Sequence, residues 1–233
     1  MLTVVPSDKR RFSNFGWLQT YWLFSFSDYY DPANNNWGLL RVFNDDVVQP
    51  DKGFPMHPHE EMEIVTIVLA GQITHEDSLG NRTTIRAGEV QRMSAGTGLR
   101  HSEYNLAQEP CHFYQIWLNP RALKQSPAYE QKLFEPAEWQ GRLFAVASGQ
   151  DRRGVIKLNS DATIYRCQLQ GGQGIELNDV LERLVFVYLT SGEVKLNGVK
   201  LRAGDQARIS RKMAIEFAAV GSSDLVVIET GPV

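Results

Sequence analysis

Val68-Leu-Ala-Gly71-Gln-Ile73 is followed after a short gap by Ile85-Arg-Ala-Gly88-Glu89. The same two phrases return as Thr190-Ser-Gly192-Glu-Val194 and Leu201-Arg-Ala-Gly204-Asp205. Each on its own is a common β-turn phrase. Two of them in one order, at compatible spacing, indicate a duplicated unit of strand, Gly turn, strand, hairpin, strand, R-A-G turn, strand. The paired glycines are 17 apart in the first half and 12 apart in the second. The difference fits a longer hairpin loop over 77–81 against a tight Asn197-Gly198 turn, a dipeptide suited to positive φ at both positions.

Outward from these phrases, short apolar or alternating segments dominate. Strands are predicted at 21–26, 39–43, 63–69, 72–76, 83–86, 90–94 and 112–118. A second series is predicted at 143–147, 155–158, 163–169, 184–189, 194–196, 199–201, 207–210, 215–218 and 225–229. So many short strands at close spacing point to an all-β chain of sandwiches or barrels. Ser126-Pro127 reads as the cap and first position of a helix running to Phe134, inside a connector over 121–141.

Composition narrows the function classes. With 24 Lys plus Arg against 27 Asp plus Glu, the net charge is −3, which argues against direct nucleic-acid binding. The N-terminus lacks a signal-peptide pattern, and no run approaches the ~20 apolar residues that span a bilayer. A cytoplasmic protein with no membrane contact is expected, and Cys111 and Cys167 are expected as reduced thiols. The five histidines stand at 57, 59, 75, 101 and 112, all in the first half.

Gly53-Phe-Pro-Met-His57-Pro-His59-Glu-Glu-Met-Glu63 places two imidazoles at i and i+2, on one face of a strand. His101 and Glu103 repeat that spacing. Three histidines and a carboxylate from two strands suit a borderline divalent metal. By analogy with sites of two histidines and one carboxylate, they favour non-haem iron. Phe54, Met62, Met93, Gln115 and Trp117 are core-packing residues by default and candidates to line a pocket over the metal. His75, beside acidic neighbours, is expected on a solvated hairpin, and His112 at the surface.

The two segments resemble the paired metal motifs of the cupin superfamily: Gly53, His57, His59, Glu63 and Gly71, then Gly88, Gly96, His101 and Asn105. More closely, G-F-P-M-H-P-H-E-E-M-E-I-V-T, H-E-D-S-L-G-N, R-M-S-A-G-T-G-L-R-H-S-E and Q-I-W-L resemble the pirin family. So does the stretch G-W-L-Q-T-Y-W-L-F-S-F-S-D-Y-Y-D-P with L-R-V-F-N-D-D after it. The resemblance is dense from about residue 10 to 120.

It implies a bicupin of two jelly-roll barrels with few short helices: residues 1–135 metal-binding and 136–233 a degenerate, metal-free half. A 121-residue offset sets Asn178 and Val180 where His57 and His59 would recur. It further implies His57, His59, His101 and Glu103 as ligands of one metal, Fe(II) first, with Cu, Ni, Zn, Mn or Co as alternatives. Glu63 stands nearby, either it or Glu103 acting as general base. The implied activity is quercetin 2,3-dioxygenase-type cleavage of a flavonol-like aromatic substrate by dioxygen, in a monomer. The competing classes are a non-enzymatic, iron-dependent regulator that binds a transcription factor or metabolic enzyme, and a structural bicupin holding zinc.

Overall fold

The computed structural model describes residues 1–178, 182–210 and 214–232. It is all-β, with three short 3₁₀ turns at Ser7–Lys9, Pro32–Asn34 and Pro136–Trp139. Each half is a jelly-roll barrel made from one seven-stranded and one four-stranded sheet. In the first half the large sheet runs Ala128–Leu133, Glu89–Ser94, Glu63–Ala70, Cys111–Leu118, Leu40–Val48, Leu18–Trp22, Arg11–Asn14. The small sheet runs Lys52–His59, Leu99–Asn105, Gln72–Asp77, Arg82–Arg86. The second half repeats this plan with Leu2–Val5, Gln206–Ser210, Leu184–Ser191, Ser223–Thr230, Ala162–Leu169, Phe144–Ser148 and Ile156–Lys157 in the large sheet. Its small sheet is Gly174–Leu177, Ile215–Ala219, Glu193–Leu196, Val199–Arg202.

The duplicated phrases fall at equivalent turns. Gly71 and Gly192 both have positive φ, +72° and +85°. A Cβ there would lie 2.6 Å from the Pro110 carbonyl oxygen and 2.2 Å from that of Ser222. Glycine is therefore required twice by the same close approach of backbone to backbone. Asn197 and Gly198 both have positive φ, as the tight hairpin needs.

Strand alternation divides labour across the first large sheet. From Cys111–Leu118, residues Phe113, Gln115 and Trp117 face into the first barrel. Tyr114, Ile116 and Leu118 face the second, joining a buried cluster with Phe43, Phe186, Tyr188, Val226 and Ile228. Phe43 stacks obliquely on Phe186 and Tyr188, with centroids 5.4 and 5.1 Å away. Tyr114 Oη donates to Thr190 Oγ1 at 2.9 Å. Burying side chains of this size stabilises by about 1.5–3 kcal/mol each, so the two barrels share one core. The second barrel is filled by its own apolar cluster, including Val187, Leu189, Leu196, Phe217 and Leu225.

The predicted helix after Ser126-Pro127 is instead the strand Ala128–Leu133. Ala, Glu, Gln, Lys and Leu are good helix formers, but the propensity is overridden by a six-residue ladder to Glu89–Ser94. The second barrel fills the equivalent edge, beside Gln206–Ser210, with Leu2–Val5. One N-terminal strand thus crosses to the sheet of the other half. Cys111 and Cys167 are buried free thiols, as expected.

Candidate metal centre

The small sheet of the first barrel carries the chemistry on its central strand, Leu99–Asn105. His101 pairs with His57 on one side and Asp77 on the other. Glu103 pairs with Phe54 and His75. The ladder to Lys52–His59 is irregular between these rungs, so Pro55 and Met56 lack opposite partners. Pro55 has no N–H to offer a ladder, which makes a bulge its natural place. Its carbonyl then accepts from His57 Nδ1 at 2.7 Å, leaving His57 Nε2 as the free lone pair.

Three imidazoles converge. The rings of His57, His59 and His101 have centroids 4.5–5.0 Å apart. Their ligand atoms all lie within 4.8 Å of one another. Glu103 belongs to a second group with His75 and His101 under the same criterion, so the two groups share His101. The outer group opens to a pocket and the inner one is fully buried. Burial, and then the neighbouring imidazoles, push His59 down to about 4 and His101 to about 2. Both are therefore neutral and can offer lone pairs. Glu103 is raised by burial, opposed by His75, His57 and hydrogen bonds from Gln115 Nε2 at 2.7 Å and Thr66 Oγ1 at 3.4 Å.

The donor set fits a divalent metal. His101 Nε2 is buried and has no hydrogen-bond partner, a cost that a ligated ion removes. Behind it, His101 Nδ1 lies 3.5 Å from His75 Nδ1, and His75 Nε2 lies 3.0 Å from Asp77 Oδ2. A carboxylate can only accept, so His75 carries its proton on Nε2 and presents a bare Nδ1 to His101 Nδ1–H. That order leaves His101 Nε2 unprotonated.

His75 was expected on a solvated hairpin; it is fully buried inside the barrel. Its strand, Gln72–Asp77, alternates, and His75 shares the inward parity of Ile73 and Asp77. The turn begins only at Ser78. That alternation was the available signal. His112 stands outside both groups, its Nε2 2.6 Å from Asp45 Oδ1. Glu63 is not near the cluster. It has the parity of Val65 and Ile67, which face the second barrel, and its carboxylate accepts from the Asn159 N–H at 3.0 Å. Burial raises Glu63, opposed by hydrogen bonds from Ser94 and Asn159.

Over His57, His59 and Glu103 lies an open pocket of about 400 Å³, within the range for small-molecule sites. Phe54, Gln115 and Trp117 line it as expected. Met93 does not: it is buried with Ile64 and Leu99. Met62 lines a cleft toward the second barrel instead. The pocket's remaining walls come from the N-terminal stretch, with Phe15, Trp17, Trp22 and Phe26, and from Asn44 and Asp46. Aromatic edges meet faces around it: Trp17 on Phe54 at 5.2 Å, Phe26 on Trp117 at 5.3 Å, His59 on Trp117 at 4.9 Å. The density of aromatics over 15–26 was the signal for these walls, and only their distance from the histidines in sequence hid it.

Among the described residues, both groups able to hold a metal lie in the first barrel. Asn178 is exposed, just after the strand Gly174–Leu177, and Val180 lies outside the described residues. Among the described residues no helix is long and apolar enough to cross a membrane.

The pirin family profile matches residues 5–118, and the quercetinase C-terminal cupin domain matches residues 145–230. A pirin-like protein of Caulobacter vibrioides is 40% identical over 98% of this chain and 99% of its own length. The quercetin 2,3-dioxygenase of Escherichia coli K12 is 40% identical over the whole of both chains. The crystal structure of the E. coli pirin YhhW in complex with nickel(II) superposes with a TM-score of 0.94, at 40% identity and full coverage of both. With that identity sustained along both barrels, the chain belongs to the pirin family.

Proposed function

We propose that this protein is a metal-dependent dioxygenase of the quercetin 2,3-dioxygenase type, holding Fe(II) on His57, His59, His101 and Glu103. The observation that carries the reading is the convergence of three imidazoles, two of them, His57 and His59, lining an aromatic-walled pocket. Relatives at 40% identity that bear the quercetin 2,3-dioxygenase name support it.

When bound, the metal supplies Lewis-acid polarisation of the substrate's oxygens and an electron-transfer partner for dioxygen. The chain's own residues do the rest. Trp17, Phe26, Phe54 and Trp117 offer flat faces and edges to a planar aromatic and exclude water. Glu103 takes the proton of the flavonol's 3-hydroxyl on a carboxylate oxygen. The Gln115 and Thr66 hydrogen bonds fix its orientation. Glu63, on the opposite face of its strand, has no part in this transfer.

An oxygen electrode tests the reading. Fe(II)-loaded protein is expected to consume dioxygen with quercetin as its flavonol absorbance falls, and His57→Ala and His101→Ala are expected to lose both signals. Metal-loaded protein that turns over no member of a flavonoid panel would contradict it.

A further inference from the structure

Two polar side chains in the pocket carry an unpartnered oxygen and have no place in the chemistry above. Asn44 and Asp46 sit at i and i+2 on Leu40–Val48, so both point inward from the large sheet. Both are buried and both line the pocket. Asn44 Oδ1 and Asp46 Oδ1 each lack any hydrogen-bond partner. Their rungs leave these oxygens unsatisfied: Asn44 lies between Trp22 and Gln115, and Asp46 between Phe113 and Thr20, whose hydroxyl does not reach Asp46 Oδ1. Gln115 spends its amide on Glu103 and its carbonyl on Trp117. A buried acceptor without a donor costs stability, so a pair of them on a pocket wall calls for donors brought by a ligand.

We propose that Asn44 and Asp46 are a hydroxyl-recognition wall that selects polyhydroxylated aromatic rings over bare ones, each side chain accepting a hydrogen bond from a phenolic O–H. The inference rests on the dioxygenase reading for the identity of the ring system. It concerns a different sheet from the histidines and uses no metal contact. A ring that lacks hydroxyls fills the same aromatic box but leaves both acceptors unsatisfied, which is the situation in which a site rejects an analogue strongly.

Quenching of the pocket tryptophans Trp17, Trp22 and Trp117 reads binding without turnover. The experiment uses the full chain loaded with Fe(II) under anaerobic conditions. Quercetin is compared with 3-hydroxyflavone, which keeps the 3-hydroxyl and 4-keto groups but lacks the other hydroxyls. Catechol is compared with benzene, so that hydroxyl recognition is read without the flavonol skeleton. The wild type is expected to prefer the hydroxylated member of each pair by tenfold or more. Asp46→Leu is expected to erase most of that preference, leave 3-hydroxyflavone binding within about twofold, and melt at a higher temperature than the wild type. Asn44→Leu serves as the second variant.

Equal weakening of both members of each pair, or retention of the preference in both variants, would overturn the inference. So would a wild type that shows no preference in either pair. Catechol discrimination that depends on Asp46, with no flavonol bound, would support the wall while removing the flavonol reading.

Discussion

Asp77, His75 and His101 form a line of three groups in which each fixes the next. Asp77 accepts from His75, and His75 faces the Nδ1 of His101. Loss of His75 should therefore loosen a ligand it never replaces. His75→Ala is expected to weaken metal binding by about 10- to 100-fold, read by competition with a chelating dye; unchanged affinity would show that the line is only packing. Asp46 makes a different prediction. Burial, with Asp45 and Glu103 adding and the Thr20 hydroxyl opposing, pushes its carboxyl up to about 8. A folded-state value above the unfolded one, 3.8, stabilises below the unfolded value, and this contribution is lost as pH rises toward 8. Asp46→Asn should therefore gain in melting temperature over the wild type between pH 5 and pH 8. A gap that shrinks over that range would contradict the assignment.

The i, i+2 spacings made His57, His59 and His101 legible from the sequence alone. His75 was legible too, had its parity with Ile73 been followed rather than its acidic neighbours. Glu63 misled because a motif position is not a strand face, and its parity with Val65 and Ile67 turns it toward the second barrel.

At the scale of elements, two local devices set up the site. The bulge at Pro55 lets Glu103 oppose Phe54 and lets a proline carbonyl orient His57. The Gly71 turn brings its backbone against Pro110, just ahead of the strand Cys111–Leu118 that carries Gln115 and Trp117. Gly71→Ala combines positive φ with a clash on backbone, and is expected to cost about 2 kcal/mol or more. Gly80→Ala also has positive φ, but meets nothing within 4 Å. It should cost less, and thermal denaturation of the two variants makes the comparison. Equal losses would mean that the close approach at Gly71 relaxes freely.

The interior strands could be read from alternation and turn residues. The edges could not. Ala128–Leu133 has a helix former's composition and becomes a strand because an open edge of the sheet lies beside it. Leu2–Val5 finds its partner some 200 residues away, at Gln206–Ser210. Pairing at that distance leaves no local trace.

At the scale of the molecule, duplication explains why five histidines crowd into one half. Both barrels keep the same sheets and the same glycine turns, but their interiors diverge. The first presents a row of Trp22, Asn44, Gln115, Thr66 and Gln91 across its large sheet, of which Trp22, Asn44 and Gln115 line the pocket. The second is filled mainly by aliphatic and aromatic side chains. The strands of the first barrel pack against the second through the shared core around Phe43, Tyr114 and Phe186.

In the proposed reading, one chain binds one catalytic metal, in the first barrel, on the outer histidine group. Anomalous diffraction at the iron edge from Fe(II)-loaded crystals tests it directly. The expected result is a single peak per chain, bonded to the nitrogens of His57, His59 and His101, with Glu103 completing the set. A peak on His75 and Glu103 without His57 and His59, or one in the second barrel, would contradict it.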